Sequence, residues 1–394
     1  MTRQTAIRCC QVRGGSSKGL CFLADDLPRD SALRDAVLVA AMGTDARQID
    51  GLGGADSLAS KVAIVSRSSR KDADVDYLFA QVVVGEGRVD TSPNCGNMLA
   101  AVAPFAIEIG LVSASNQTTT SVRVHMVNSG DLCEVIVPTA GGQVEYEGAT
   151  AIDGVPGTAA PIVCNYLNVA GSVCGALLPT GKPVDVIDGI EVTCIDSGMP
   201  VVVLRASDLN RTGYESPESL DGDLELKQRL ERIRRQCGPL MNLGDVTDKV
   251  VPKMCLIASP LHAGHVCTRT FIPHRCHVTI GVLGAVTVAT ACIVPGSVAT
   301  SCARASSGQN RTLSIEHPSG EFSVQLQLAG EVCDVPTVLR AGVIRTARLL
   351  FRGELFIPAS VWTGREQAQV GAKHAGQTTR KSEEFVTTTG KTCT

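Results

Sequence analysis

The run from Val278 to Pro295, which contains IGVLGAVTVATACIV, carries no charge. It falls short of the roughly 20 residues that a membrane-spanning helix requires, so it reads as a helix buried in a core, apolar on every face. A second strong helical pattern, Met98 to Leu111, follows directly on Asn94, Cys95, Gly96 and Asn97. Most of what surrounds these two runs looks like strands. Hydrophobic residues make up 44% of the chain and aromatics only 3%, and 39 glycines punctuate short runs rich in Val and Thr. Such a core is built from Val, Ala, Leu and Ile on strands joined by tight turns.

At 394 residues the chain is too long for one comfortable core, and length favours two domains of roughly 150 to 200 residues. Residues 5–25 read as strand, turn at Gly14 and Gly15, and strand; a helix is expected over Ser31 to Met42. Further strands are expected at DYLFAQVVV, SVRVHMV, CEVIVP and PIVCNYL. Around Thr180 to Val192 the text becomes a crossover, followed by new strands and the charged helix LELKQRLERIRRQ. The boundary is placed there, giving domains 1–185 and 186–361. From 362 to 394 lies a tail whose composition after Trp362 is polar and aperiodic, so it is expected to be mobile or to dock late.

A formal net charge of -3 gives no reason to expect nucleic acid or an anionic membrane as partner. The N-terminal residues show no signal-peptide pattern, and the 16 cysteines contain no CxxC pair. Reduced thiols and a cytoplasmic location are the expectation. A homo-oligomer is compatible with the sequence, which does not set subunit number.

Three segments carry candidate chemistry. In VDTSPNCGNMLAAVAPFAIEIGL, Cys95 sits at the start of an apolar helix, where unpaired N–H groups and a partial positive charge favour a thiolate and offer donors to a carboxylate. A buried structural cysteine would look the same. In SLASKVAIVS, alternation puts Lys61 on one face with Ala59, Ala63 and Val65, where desolvation would make a neutral amine available as a base; an edge lysine reaching water is the plainer alternative. VRGGSSKG, residues 12–19, misses the phosphate-loop pattern but offers Arg13, Ser16, Ser17 and Lys18 as a grip for a carboxylate. DGLGGAD, SGMP and EHPSG could each be a binding loop or an ordinary turn. His262, His265, Cys267, His274, Cys276 and His277 are residue types that zinc sites use, but their spacing matches neither standard zinc-finger pairing.

Taken in order, RGGSSKG, IDGLGGADSLASKVAIVS, DVDYLFAQV, NCGNMLAAVAPFAIEIGL, SGMPVVVL and HPSG resemble the motif set of the methylaconitate isomerase (PrpF) family over residues 5–358. The family's RGGTSKG is RGGSSKG here, which keeps the hydroxyl. The resemblance implies the α+β, diaminopimelate epimerase-like fold: two similar domains, each a curved, mostly antiparallel sheet around a central helix, with the site in the cleft between. It implies catalysis without metal or organic cofactor, with Lys61 and Cys95 as the catalytic pair. Substrate would be held by Ser16, Ser17, Lys18, Asn94, Gly96, Asn97, Met199, Ser319 and Gly320. Epimerases of this fold use two cysteines, but the second half here has no cysteine in an NCGN setting, so stereoinversion is not expected.

The resulting expectation is an isomerase of unsaturated tricarboxylates. Lys61 would take a proton from the methylene of a substrate like 2-methylaconitate, and the dienolate would rest near the helix start at Cys95. Cis-trans isomerisation of 2-methylaconitate, in propionate breakdown by the methylcitrate route, is the first reading. A 4-oxalomesaconate tautomerase or an aconitate-type double-bond isomerase is the alternative on the same residues. A non-catalytic tricarboxylate-binding protein is the rival from another class.

Overall fold

The computed structural model describes residues 4–92, 94–329 and 337–364; beyond residue 364 the polar tail lies outside them. The first half runs β1 (Gln4–Gly14), β2 (Ser17–Leu23), α1 (Ser31–Met42), β3 (Lys61–Arg67), β4 (Val75–Val83), β5 (Arg88–Asp90), α2 (Gly96–Glu108), β6 (Thr119–Met126), β7 (Asp131–Ala140), β8 (Gln143–Val144) and β9 (Pro161–Leu167). The second runs β10 (Asp185–Ile187), β11 (Ile190–Asp196), β12 (Pro200–Arg205), α3 (Pro217–Gly222), α4 (Leu224–Leu240), β13 (Lys253–Ala258), β14 (Val266–Phe271), α5 (Val282–Ala291), β15 (Asn310–His317), β16 (Gly320–Ala329) and β17 (Thr337–Pro358).

The physical problem set by α2 is that Met98 to Ala106 are buried without a break, so no face can be left to water. The solution is a closed ring of strands. In order round it, β1 pairs with β2, then β3, β4, β6, β7, β9 and β17, which returns to β1. Helix α2 packs against strands on every side of the ring.

The second apolar helix is treated alike. Gly284 to Ala291 of α5 are buried, and α5 packs on β11, β12, β15, β16 and β17. These strands belong to one run of neighbours from β10 to β17. Most pairings are antiparallel, while β2–β3, β4–β6, β12–β13 and β14–β15 are parallel. This is the α+β architecture of curved sheet around two central helices that the resemblance implies.

The long strand β17 serves both halves. Its residues 337–343 pair with β16 and residues 347–358 pair with β1, so the sheet is continuous across the position near 185 where the sequence changes character. One core cluster accordingly contains both helices, from Met98 and Leu99 to Val286 and Ala289. Two satellite cores lie outside it. Helix α1 covers Leu20, Phe22, Val62 and Ile64, and amphipathic α4 lays Leu226, Leu230, Ile233 and Cys237 on Val192, Cys194, Val202 and Leu204. No helix among the described residues is long and apolar enough to cross a membrane, and the cysteines described are free thiols.

Candidate active site

Cys95 is the N-cap residue of α2, extended at φ -132, and its side chain makes no capping bond. Its carbonyl accepts from the Leu99 N–H at 3.0 Å and from the Tyr77 hydroxyl at 3.3 Å. The next residue, Gly96, decides the geometry of the site. A Cβ there would lie 2.8 Å from Tyr166 Oη and 2.8 Å from Val282 Cγ2. Val282 is the first residue of α5, so the two buried helices meet at their N-termini, and only glycine lets them approach so closely. Neither helix has a side-chain cap or an acidic residue in its first turn. Two sets of orphan N–H groups, each at the positive end of a helix dipole, therefore share one junction.

Lys61 opens β3, in register with Gly19 and Gln81, and it faces α2 together with Ala63 and Val65. Lys61 and Cys95 are each 9% exposed. Lys61 Nζ donates to Gln81 Oε1 at 2.8 Å and sits 5.2 Å from the centroid of the Phe79 ring. The Gln81 amide is itself anchored, donating to the carbonyls of Ser60 at 2.8 Å and Ser57 at 3.2 Å. Strand β4 thus acts as a ruler: Tyr77, Phe79 and Gln81 alternate onto one face and span the distance from the Cys95 carbonyl to the Lys61 amine.

The β1–β2 turn lies on the first turn of α2. Asn97 Nδ2 donates to Ser16 Oγ at 3.1 Å, and Gly15, at φ +52, leaves no room for a side chain beside the Asn97 amide. Ser17 is buried, and its hydroxyl has no partner among the described residues. Asn94 is exposed just ahead of the helix. Lys18 is not brought to this group. Strand alternation turns it to the opposite face, beside Gly54.

The second half adds two more turns. Thr287 of α5 donates to the carbonyls of Ser197 and Met199, at 3.1 and 2.9 Å, fastening the SGMP turn to the helix. Ser319 Oγ donates to the Val278 carbonyl at 2.7 Å, which ties the HPSG turn to the segment entering α5. Gly320, at φ +146, packs on Asp153, whose carboxylate accepts from the Glu321 N–H at 2.5 Å. The neighbouring Gly154 lies against Ser16. Loop 150–159 therefore joins the turn holding Ser16 to the turn holding Ser319 and Gly320, closing a circle around the helix junction.

The sequence reading missed Tyr166, Gln81, Asp153 and, most of all, Arg345. Arg345 is 8% exposed, its guanidinium lies 3.7 Å from the centroid of the Phe322 ring, and its Nε is buried with no partner among the described residues. Burial pulls its pKa down to about 10 against the opposing influence of Cys164 and Tyr166. A signal existed in the text: Val343, Arg345 and Ala347 alternate in a strand pattern, and a charge between two apolar inward positions is out of place. The histidines and cysteines of residues 262–277 disperse into separate contacts. His265 Nδ1 accepts from the Ser314 N–H, Cys267 Sγ lies against the Gly213 carbonyl, and His277 Nδ1 accepts from Thr279. Among the described residues no three metal-ligating side chains come together.

Comparison with known proteins adds the family to this geometry. The model of the family described as PrpF protein matches residues 4–358. The chain belongs to the PrpF family. It is 59% identical to a 4-oxalomesaconate tautomerase of Pseudomonas putida, over 92% of this chain and 99% of that protein. It is 56% identical to a (4E)-oxalomesaconate Delta-isomerase of a Novosphingobium species, over 89% of this chain and 97% of that protein. Identity to a 2-methyl-aconitate isomerase of Shewanella oneidensis is 33%, over 90% of this chain and 98% of that one. The solved structure of a methylitaconate-delta-isomerase superposes with a TM-score of 0.81 at 32% identity, covering 91% of this chain and 97% of that one. The chain is an isomerase.

Proposed function

We propose that this isomerase is a 4-oxalomesaconate tautomerase, acting on an unsaturated tricarboxylate by moving one proton. The observation that carries the choice of substrate is the 59% identity along 99% of a relative of that name. The first reading from sequence, 2-methylaconitate isomerisation in propionate breakdown, gives way to its alternative, because the relative with the methylaconitate name is only 33% identical.

The chemistry follows from the residues around the helix junction. An oxalomesaconate has a methylene between a ketone and an alkene, so loss of a proton there gives a dienolate delocalised over both. Lys61, whose amine is steadied by Gln81, takes that proton. Orphan N–H groups at the start of α2 meet the charge that develops on oxygen. Cys95, at the same helix start, returns a proton at the far end of the conjugated system. On α5 the position matching Cys95 is Gly281, so no thiol stands at the second helix start to serve the opposite face of a stereocentre. Ser16, Ser17, Asn97, Met199, Ser319 and Gly320, with Asn94 and Gly96 at the helix start, form the surrounding wall.

Incubating the protein in deuterium oxide with 4-oxalomesaconate or 2-methylaconitate, followed by proton NMR, tests this reading. Exchange and double-bond migration are expected with the first acid, slowed roughly 10²- to 10⁴-fold in Lys61→Ala. Turnover of 2-methylaconitate with none of 4-oxalomesaconate would overturn the proposal.

A further inference from the structure

A tricarboxylate brings several negative charges to a site whose other assigned residues are hydroxyls, amides, backbone N–H groups and one lysine. β17, the strand common to both halves, turns an arginine inward. Val343, Arg345 and Ala347 alternate onto its helix-facing side. Ala347 is in register with Gly14, and Gly14 with Ser17. The chain then turns, and the Gly15 N–H bonds the Thr346 carbonyl at 2.9 Å. Arg345 is therefore the next inward residue past the turn that carries Ser16 and Ser17. On its other side it stacks on Phe322 and lies close enough to His317, beside the Ser319 turn, to influence that imidazole. Tyr166, whose hydroxyl borders Gly96, is near enough to influence Arg345 in turn.

We propose that Arg345 binds a carboxylate of the substrate at the junction of the two helix N-termini and so selects acids that carry an extra carboxylate; this rests on the tricarboxylate reading above. A guanidinium presents parallel N–H donors that match the two oxygens of a carboxylate. Among the described residues those donors find few acceptors. Nη1 bonds only the carbonyl of Ile344, at 3.0 Å, and Nε is buried with nothing to donate to among the described residues. Buried donors are nearly always satisfied, and a buried cation without an anion is costly. No fold gains from such a group by itself, whereas an arriving carboxylate would satisfy both the charge and the donors. The Phe322 face holds the guanidinium plane in place beforehand.

The alternative is that Arg345 merely props the sheet by stacking on Phe322, and the two roles differ in what removal does. Arg345→Gln and Arg345→Lys would be compared with wild type by thermal melting, with cis-aconitate as tricarboxylate probe and mesaconate as dicarboxylate probe, and by steady-state kinetics. Arg345→Gln should melt at or above the wild-type temperature without ligand, because a buried charge with no anion paired to it among the described residues has gone. It should lose the cis-aconitate shift seen in wild type while any mesaconate response stays. KM should rise roughly 10- to 100-fold, the equivalent of the ~1.5–3 kcal/mol of a hydrogen bond to a charged group, with a smaller change in kcat. Arg345→Lys should recover part of the shift. A ligand-free variant that melts well below wild type, or one shifted by cis-aconitate as strongly as wild type, would overturn the proposal. A wild-type protein that neither responds to cis-aconitate nor turns over 4-oxalomesaconate would instead sink the tricarboxylate reading beneath it.

Discussion

His317 shows how a single residue links the site to solution conditions. Burial, opposed by the nearby Asp153 carboxylate and reinforced by His277, Arg345 and Arg269, pulls its pKa from 6.5 down to about 4. The neutral ring accepts from the Ser319 N–H at 3.3 Å through Nδ1. Because the folded value lies below the unfolded one, the unfolded chain takes up a proton first as pH falls, and stability present above pH 6.5 is lost between about 6.5 and about 4. Melting temperature should therefore drop across that window, and His317→Asn should flatten the drop; equal slopes in the two proteins would remove His317 as the cause. At this scale the sequence placed Lys61 on a buried strand face and Cys95 at a helix start, where the structure has them. It did not disclose Arg345 among the arginines of GVIRTARLLFRGE. Arg345 turns inward while Arg348, three residues on, is exposed opposite Arg13, and only strand pairing tells them apart.

Among the elements, the two apolar helices were legible and their starts were not. The text predicts Met98 to Leu111 and a run from Val278 to Pro295, and the helices run Gly96–Glu108 and Val282–Ala291. Gly96 and Asn97 are poor helix formers, yet contact with the other helix and with the β1–β2 turn holds them in the first turn. Val278, apolar enough to belong to the second helix, instead spends its carbonyl on Ser319. The asymmetry between the two starts makes a prediction. A Cβ at Gly96 meets Val282 and Tyr166, whereas one at Gly281 meets nothing within 4 Å. Gly96→Ala should destabilise by about 1–3 kcal/mol, as overpacking does, and lower kcat/KM by pushing the helix starts apart. Gly281→Ala should cost less than about 1 kcal/mol. Chemical denaturation of both variants checks this, and equal losses would mean that the helices do not meet as described.

For the whole molecule, the continuous sheet matters more than the change of text near residue 185. Strand β17 completes the ring around α2 and also pairs with β16 beside α5, and one core cluster holds both helices. Neither half can bury its helix without that strand. Unfolding followed by calorimetry should therefore show one transition in which calorimetric and van't Hoff enthalpies agree. Two resolved transitions would show that the halves are independent units.

By itself the sequence determined that two helices must be buried, that short Val- and Gly-rich strands must cover them, and that a lysine lies on a strand face and a cysteine at a helix start. Those properties depend on local period and composition, which the chain writes within ten or twenty residues. Only the tertiary structure decided that the helices meet end to end at Gly96 and Val282, that Lys18 faces away, and that Arg345 turns inward onto Phe322. Each of these depends on which strand pairs with which and in what register, because a shift of one residue turns every side chain of a strand to the other face. That information is held jointly by residues hundreds of positions apart, such as Gly14 and Ala347, and no local window contains it.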